Sequence, residues 1–255
     1  MDTTETPTPA TSTASKPKVY GAIFDMDGTL LDTEELSRLA IDGVLRPFGK
    51  EFTMAMHKTI LGRPANEWTR MAIAAAGLSH EAITPNELFE QWATRMRAMS
   101  DRVKELPGGL NVLRALHARG IPLALATSNS RSVVETKMKH HRELFAFFST
   151  IVCGDDPAVK RGKPAPDIFR TAGQRLFGLT EGGDEGGDPP LCIVFEDSVN
   201  GYTAAKAAGM HSIALPDVRI HTDEETRAEL FGDADEVLLS FAQFRIDNYD
   251  WQLQQ

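Results

Sequence analysis

The 255-residue chain lacks most features that would place it in a specialised class. It has 2 cysteines, Cys153 and Cys192, each inside an apolar run and too few for a disulfide framework. They read as small core residues, and a reducing compartment, the cytoplasm, is the expected location. No apolar run approaches the length of a membrane helix, so no membrane partner is expected. The formal net charge is −9, the wrong sign for a surface devoted to nucleic acid. That charge leaves room for a phosphorylated small molecule, held locally by a metal and a few cations. The 7 histidines make no metal-ligand spacing, and His140–His141 reads as a solvated helix-surface pair. Ser198 has no evident base, which speaks against a serine hydrolase. The glycines of the 178–190 stretch precede an apolar strand instead of following one, so they form no dinucleotide fingerprint and read as a surface loop. Residues 1 to 17 are rich in Thr, Pro, Ser and Ala and lack the marks of a signal or transit peptide; a disordered tail is expected. There is no internal repeat, and a monomer or weak oligomer is the expected state.

What the chain does have begins at Val19. Val19 to Phe24 is a short apolar run, cut off by Asp25-Met26-Asp27-Gly28-Thr29. It reads as a buried strand with two carboxylates at its C-terminal end. In open parallel sheets that end is where ligands bind. Two carboxylates so close repel, and a hard divalent cation with oxygen ligands would neutralise them. The same cation would draw in a phosphate and keep Asp25 ionised as a nucleophile, while Asp27 is placed to hold a proton. The plainer reading is an Asp/Gly turn that closes a strand.

Helical spacing runs from Thr33 to about Val103, with stripes at Trp68, Met71, Ala72 and Ala75 and at Leu88, Trp92, Met96 and Met99. No strand is expected between Leu31 and Leu106, so residues 33–106 read as an inserted all-helical module. The stretch Leu61-Gly62-Arg63-Pro64 would let backbone approach a ligand there. Arg63 then reads an anionic or hydroxylated group, or is a surface arginine at a helix end. After Pro107-Gly108-Gly109, strands and helices alternate: Ile121–Ala126, Thr150–Cys153, Leu191–Phe195, Ser212–Leu215, and a short one at Val237–Leu239. Such alternation means an α/β fold with a parallel sheet and helices on both faces. The strands end on Thr127, on Asp155-Asp156 and on Glu196-Asp197, which converge with Asp25 and Asp27 on one site. Thr127 either serves that site or caps the next helix. Asp155 and Asp156 either support a catalytic cation or make a turn. Gly162-Lys163-Pro164 is no P-loop, because Pro164 stands where Ser or Thr is required.

Asp25-Met26-Asp27-Gly28-Thr29-Leu30, Thr127, Gly162-Lys163-Pro164 and Glu196-Asp197 together resemble the four motifs of the haloacid dehalogenase-like hydrolases, in order. The resemblance implies a Rossmann-like core of residues 18–32 and 107–255 with strand order 5-4-1-2-3. Residues 33–106 would be a helical C1 cap. It implies Asp25 as nucleophile, Asp27 as general acid, Thr127 as phosphoryl donor and Lys163 as charge partner. Ser128, Asn129 and Arg63 would add substrate contacts, and Asp25, Asp27, Asp197 and Glu196 would hold Mg²⁺. Gly154-Asp155-Asp156-Pro157, Gly162 to Phe169 and Val194 to Ser198 are similar to the pseudouridine-5'-phosphatase branch. The implied activity is Mg²⁺-dependent hydrolysis of a small phosphorylated metabolite, with a phosphomutase of the β-phosphoglucomutase kind as the alternative. A dehalogenase is disfavoured, since that branch lacks an aspartate at the Asp27 position. A non-catalytic binding protein is disfavoured by the presence of Asp25 and Lys163. In the implied order Cys153 and Cys192 lie three strand spacings of about 4.8 Å apart, well beyond disulfide reach.

Overall fold

The computed structural model describes residues 16–253 apart from 62, 64 and 180–188. Residues 1–15 of the expected tail, most of the expected 178–190 loop, and Gly62 and Pro64 lie outside the described residues. The first part of the chain forms β1 (Lys18–Val19), β2 (Gly21–Phe24), β3 (Leu31–Asp32), α1 (Glu34–Leu45), α2 (Met54–Ile60), α3 (Ala65–Ala75), α4 (Pro85–Ala98) and β4 (Lys104–Glu105). Then come α5 (Gly109–Ala118), β5 (Leu123–Thr127), α6 (Arg131–His140), α7 (Arg142–Phe145), β6 (Thr150–Cys153) and α8 (Asp167–Leu176). The last part is β7 (Cys192–Glu196), α9 (Val199–Ala207), β8 (His211–Ala214), α10 (Glu224–Phe231), β9 (Glu236–Val237) and β10 (Asp250–Trp251).

Six strands make one parallel sheet in the order β6-β5-β2-β7-β8-β9. This is the implied 5-4-1-2-3 order with a sixth strand added at the edge. Successive side chains of a strand point to opposite faces, and the sequence uses both. Phe24, Leu123, Leu125, Ile193, Phe195 and Ile213 build one buried layer with α5, α6 and the C-terminal Phe241, Phe244 and Tyr249. Phe24 and Phe195 stack there at 4.5 Å between ring centroids, an offset contact that adds to their burial. Ile23, Ala124, Ala126, Val152 and Val194 build the other layer with Ile168, Phe169, Ala204 and Ala205. The small residues of that layer let α8 and α9 approach the sheet closely. Cys153 and Cys192 are buried and free, on β6 and β7 with two strands between them.

Three local expectations need correction. The apolar run from Val19 is two strands, not one: β1 pairs with β10, and β2 enters the central sheet. The switch falls at Tyr20 because the β2–β7 ladder starts only at Gly21 and Cys192. Residues 33–106 are not purely helical, since β3 and β4 form a two-residue antiparallel ladder. A pair that short leaves no periodicity to read. On α3 the buried stripe is Thr69, Ala72 and Ile73, with Ala76 just beyond the helix, while Ala75 faces solvent. Trp68 and Met71 of the expected stripe pack half-buried on the same cluster, and Trp68 meets Trp92 edge-on, 5.3 Å between ring centroids.

The inserted helices carry their own cluster, including Ile41, Leu45, Phe52, Ile60, Ile73 and Leu88. A capping box starts α4: Thr84 accepts from the Glu87 N–H, Glu87 reaches back to the Thr84 N–H, and Pro85 opens the helix. Met96 and Met99 turn away from this cluster and pack on the layer beside the sheet. They mark the joint between the two groups of elements.

Candidate active site

The site follows from the alternation that builds the layers. Asp25 extends β2 by one residue, its N–H donating to the Phe195 carbonyl at 3.0 Å. By parity it faces with Ile23 toward the α8 side, and Glu196 at the end of β7 faces the same way with Val194. The loop before α8 delivers Lys163 between them. Its Nζ lies 2.5 Å from Asp25 Oδ1 and 2.6 Å from Glu196 Oε1, and donates to the Ala126 carbonyl at 3.2 Å. The Phe169 ring lies 5.0 Å from the same nitrogen. Burial alone would push the ammonium toward neutrality, but the charges of Asp25 and Glu196 hold Lys163 above the ordinary lysine range.

Thr127 and Asp27 occupy the other side. Thr127 does not cap α6; its Oγ1 accepts from the Asn129 backbone N–H at 3.2 Å and from Asn129 Nδ2 at 3.1 Å. That leaves the Thr127 hydroxyl proton to be donated. Asp27 Oδ2 accepts from Asn129 Nδ2, and Asp27 Oδ1 accepts from Lys137 Nζ. Lys137 has no place in the sequence reading. Val134, Lys137 and His141 form a buried stripe at helical spacing, with a lysine where an apolar residue is expected. His141, expected on the solvated surface with His140, is thus buried, its Nδ1 3.2 Å from Glu105 Oε1.

Asp25, Glu196 and Asp197 bring carboxylate oxygens within 4.8 Å of one another. Burial, helped by Glu196 and opposed by Lys163, pushes the Asp25 carboxyl up to about 7. Burial, with Glu196 and Asp25 beside it, also raises Asp197 well above the usual carboxylate range. One ammonium thus serves two of three crowded carboxylates, Asp25 and Glu196, and leaves Asp197 without a cationic side chain among the described residues, while the donors of all three are hard oxygens. That set fits a divalent cation, whose charge would return Asp25 and Asp197 to their anionic forms. The main chain leaves the room. Gly28 has φ +82°, and a Cβ there would stand 2.1 Å from Asp197 Oδ2. Thr29 Oγ1 donates to Asp197 Oδ1 at 3.1 Å and fixes that side chain. Glu196 is committed on both oxygens, since Oε2 accepts from Ser198 N–H at 3.1 Å and Ser198 Oγ at 3.0 Å.

Asp155 and Asp156 do not touch Lys163. Asp155 accepts from the Arg131 N–H at the start of α6, and Asp156 pairs with both Arg175 nitrogens at 2.5 and 2.9 Å. Of the two readings left open, the turn is the one found.

Between the C-terminal edge of the sheet and the inserted helices lies a cleft of about 740 Å³. All the site residues expected from the sequence line it, as do Glu34 and Lys58 from the insert. Arg63 sits on its wall, half exposed, 3.6 Å from Glu67. No helix among the described residues is long and apolar enough to cross a membrane.

The model of the haloacid dehalogenase-like hydrolase family matches residues 22–215, and the chain belongs to that family. It is therefore a hydrolase by class. A Drosophila melanogaster protein named "Probable pseudouridine-5'-phosphatase" is 37% identical over 237 residues, covering 91% of this chain and 94% of that one. An Arabidopsis thaliana protein named "(DL)-glycerol-3-phosphatase 2" is 32% identical over 241 residues, covering 94% of this chain and 95% of that one. The solved structure of CbbY from Rhodobacter sphaeroides in complex with phosphate superposes with a TM-score of 0.66 at 27% identity, covering 91% of this chain and 99% of that one.

Proposed function

We propose that this chain is a Mg²⁺-dependent phosphatase of small phosphorylated metabolites that works through an aspartyl-phosphate. One observation carries the reading: a buried Lys163 ammonium bridges Asp25 and Glu196, with the Asp197 carboxylate alongside. Asp25 attacks phosphorus while Asp27 gives a proton to the leaving oxygen; Asp27 then takes a proton from the water that cleaves the aspartyl-phosphate. Thr127 donates to a phosphoryl oxygen, with Ser128 beside it, and Lys163 offsets the charge that grows there. Asp25, Asp197 and the Asp27 carbonyl hold the cation, and Glu196 acts mainly by holding Lys163. When bound, Mg²⁺ supplies charge neutralisation for the phosphoryl oxygens and for Asp25.

The inserted helices act as a cap that closes the cleft and, through Arg63, chooses the substrate. Nucleotide and sugar phosphates are the proposed class, and pseudouridine 5'-phosphate is among the first to screen, given the relatives' names. Cytoplasmic residence is part of the proposal, supported by two free buried cysteines; subcellular fractionation reads it directly.

The test is release of phosphate from 4-nitrophenyl phosphate, with Mg²⁺ and with EDTA. Metal-dependent release that falls by about a thousandfold or more in Asp25→Asn is the expected result. Unchanged release in the mutant sinks the reading. Transfer to a sugar instead of water, seen in a product assay with a sugar phosphate and its bisphosphate, would favour the mutase.

A further inference from the structure

Lys137 is a buried ammonium that lies outside the cleft yet ends on one oxygen of Asp27, while Asn129 Nδ2 ends on the other. We propose that Lys137 is a positioning residue for proton transfer: with Asn129 it fixes the plane of the Asp27 carboxyl group toward the leaving oxygen. This rests on the phosphatase reading above.

Three observations support it. Lys137 is 7% exposed, on the stripe of α6 that faces the sheet, where an apolar residue would pack without desolvating a charge. A buried ammonium is kept where something specific holds it, and Asp27 is its hydrogen-bond partner here. Second, the two donors meet different oxygens, so the carboxyl group cannot rotate about its own bond without breaking one of them. Third, the same Asn129 amide also donates to Thr127 Oγ1 at 3.1 Å. The acid and the expected phosphoryl donor therefore share one anchor, and Lys137 sets the far side of it.

The step this serves is balanced simply. The P–O bond to the leaving group breaks, its electron pair stays on that oxygen, and the Asp27 carboxyl proton moves to it. A misplaced acid harms this step only where the leaving oxygen is basic. Alkyl phosphates need the proton, whereas 4-nitrophenolate leaves almost without it. The leaving-group dependence therefore separates positioning of Asp27 from general damage to the site.

The experiment compares wild type, Lys137→Met and Lys137→Arg with Mg²⁺ on 4-nitrophenyl phosphate and on an alkyl phosphate. The alkyl ester is glycerol 3-phosphate or the best sugar phosphate of the screen. In Lys137→Met, kcat/KM on the alkyl ester should fall by about 10- to 100-fold, with kcat/KM on the aryl ester within about threefold of wild type. The ratio kcat/KM is the readout because it ends at leaving-group departure, whereas kcat also includes hydrolysis of the common aspartyl-phosphate, which uses Asp27 for both esters. Lys137→Arg, which keeps the charge, should restore part of the loss. Where Lys137→Met does not fold, Lys137→Gln carries the same comparison. Equal losses of kcat/KM on both esters, or no loss on either, overturn the role of Lys137 while leaving the phosphatase reading intact. A wild type that hydrolyses neither ester nor any phosphate of the screen overturns both.

Discussion

At the scale of single residues, the site separates what a motif names from what a side chain does. Glu196 stands in an acidic pair that reads as metal ligands, yet both of its oxygens are occupied, by Lys163 and by Ser198. Its setting is tight: a Cβ on Gly201 would stand 1.8 Å from its carboxyl carbon. Arg63 shows the opposite case. Its pairing with Glu67 is exposed and long, a contact of small worth to stability. Arg63→Ala should leave the stability almost unchanged, within about 0.5 kcal/mol, as thermal melts would read it. It should raise KM for the preferred nucleotide or sugar phosphate by about tenfold, a loss of the size expected for one charge-assisted contact. Turnover of 4-nitrophenyl phosphate should stay as it was. An unchanged KM across a metabolite panel would remove Arg63 from the substrate site.

At the scale of elements, the loops after β5 and β6 are fixed by side chains that sequence patterns do not assign. Asp155 holds the start of α6, and Asp156 ties the end of β6 to Arg175 on α8. The Arg175 hydrogen bonds hold the Asp156 carboxyl below its usual range. A carboxylate depressed in the folded state adds stability above its unfolded pKa, and that stability is lost as pH falls through the folded value. Asp156→Asn should therefore destabilise the protein by about 1–2 kcal/mol at pH 7. The gap to wild type should begin to shrink as pH falls below about 4 and close only below the depressed folded value, where the wild-type carboxylate is protonated too. Thermal melts across pH check this; a gap independent of pH would mean that packing, not charge, holds the loop.

At the scale of the whole molecule, two groups of elements meet across the cleft. The joint is made by the short β3–β4 ladder, whose Asp32 is held from the sheet side by the two terminal nitrogens of Arg219 at 2.8 and 2.9 Å. The inserted helices keep their own apolar cluster, and Phe52 is fully buried in it. Phe52→Ala should cost that cluster about 3–5 kcal/mol. Amide exchange should then speed up across residues 34–98 while β2, β5 and β7 stay protected, because few contacts of that cluster involve the sheet. Loss of protection in both groups together would show that they unfold as one unit.

The chain by itself determined the alternation of strands and helices, the place of the helical insert, and which polar residues end the strands. Those features rest on local chemistry: strand and helix periods, Asp/Gly turns, and short apolar runs bounded by breakers. The order of the sheet was legible only through the resemblance of its motifs. The tertiary structure decided what is not local. Asp27 and Lys137 meet across 110 positions of sequence, and that meeting depends on how α6 is rolled about its axis. The same holds for the choice of Ala76 over Ala75 on the buried side of α3, and for Asp156 turning to Arg175. A helix's roll and a side chain's rotamer are set by what packs against them, and no pattern within the segment carries that information.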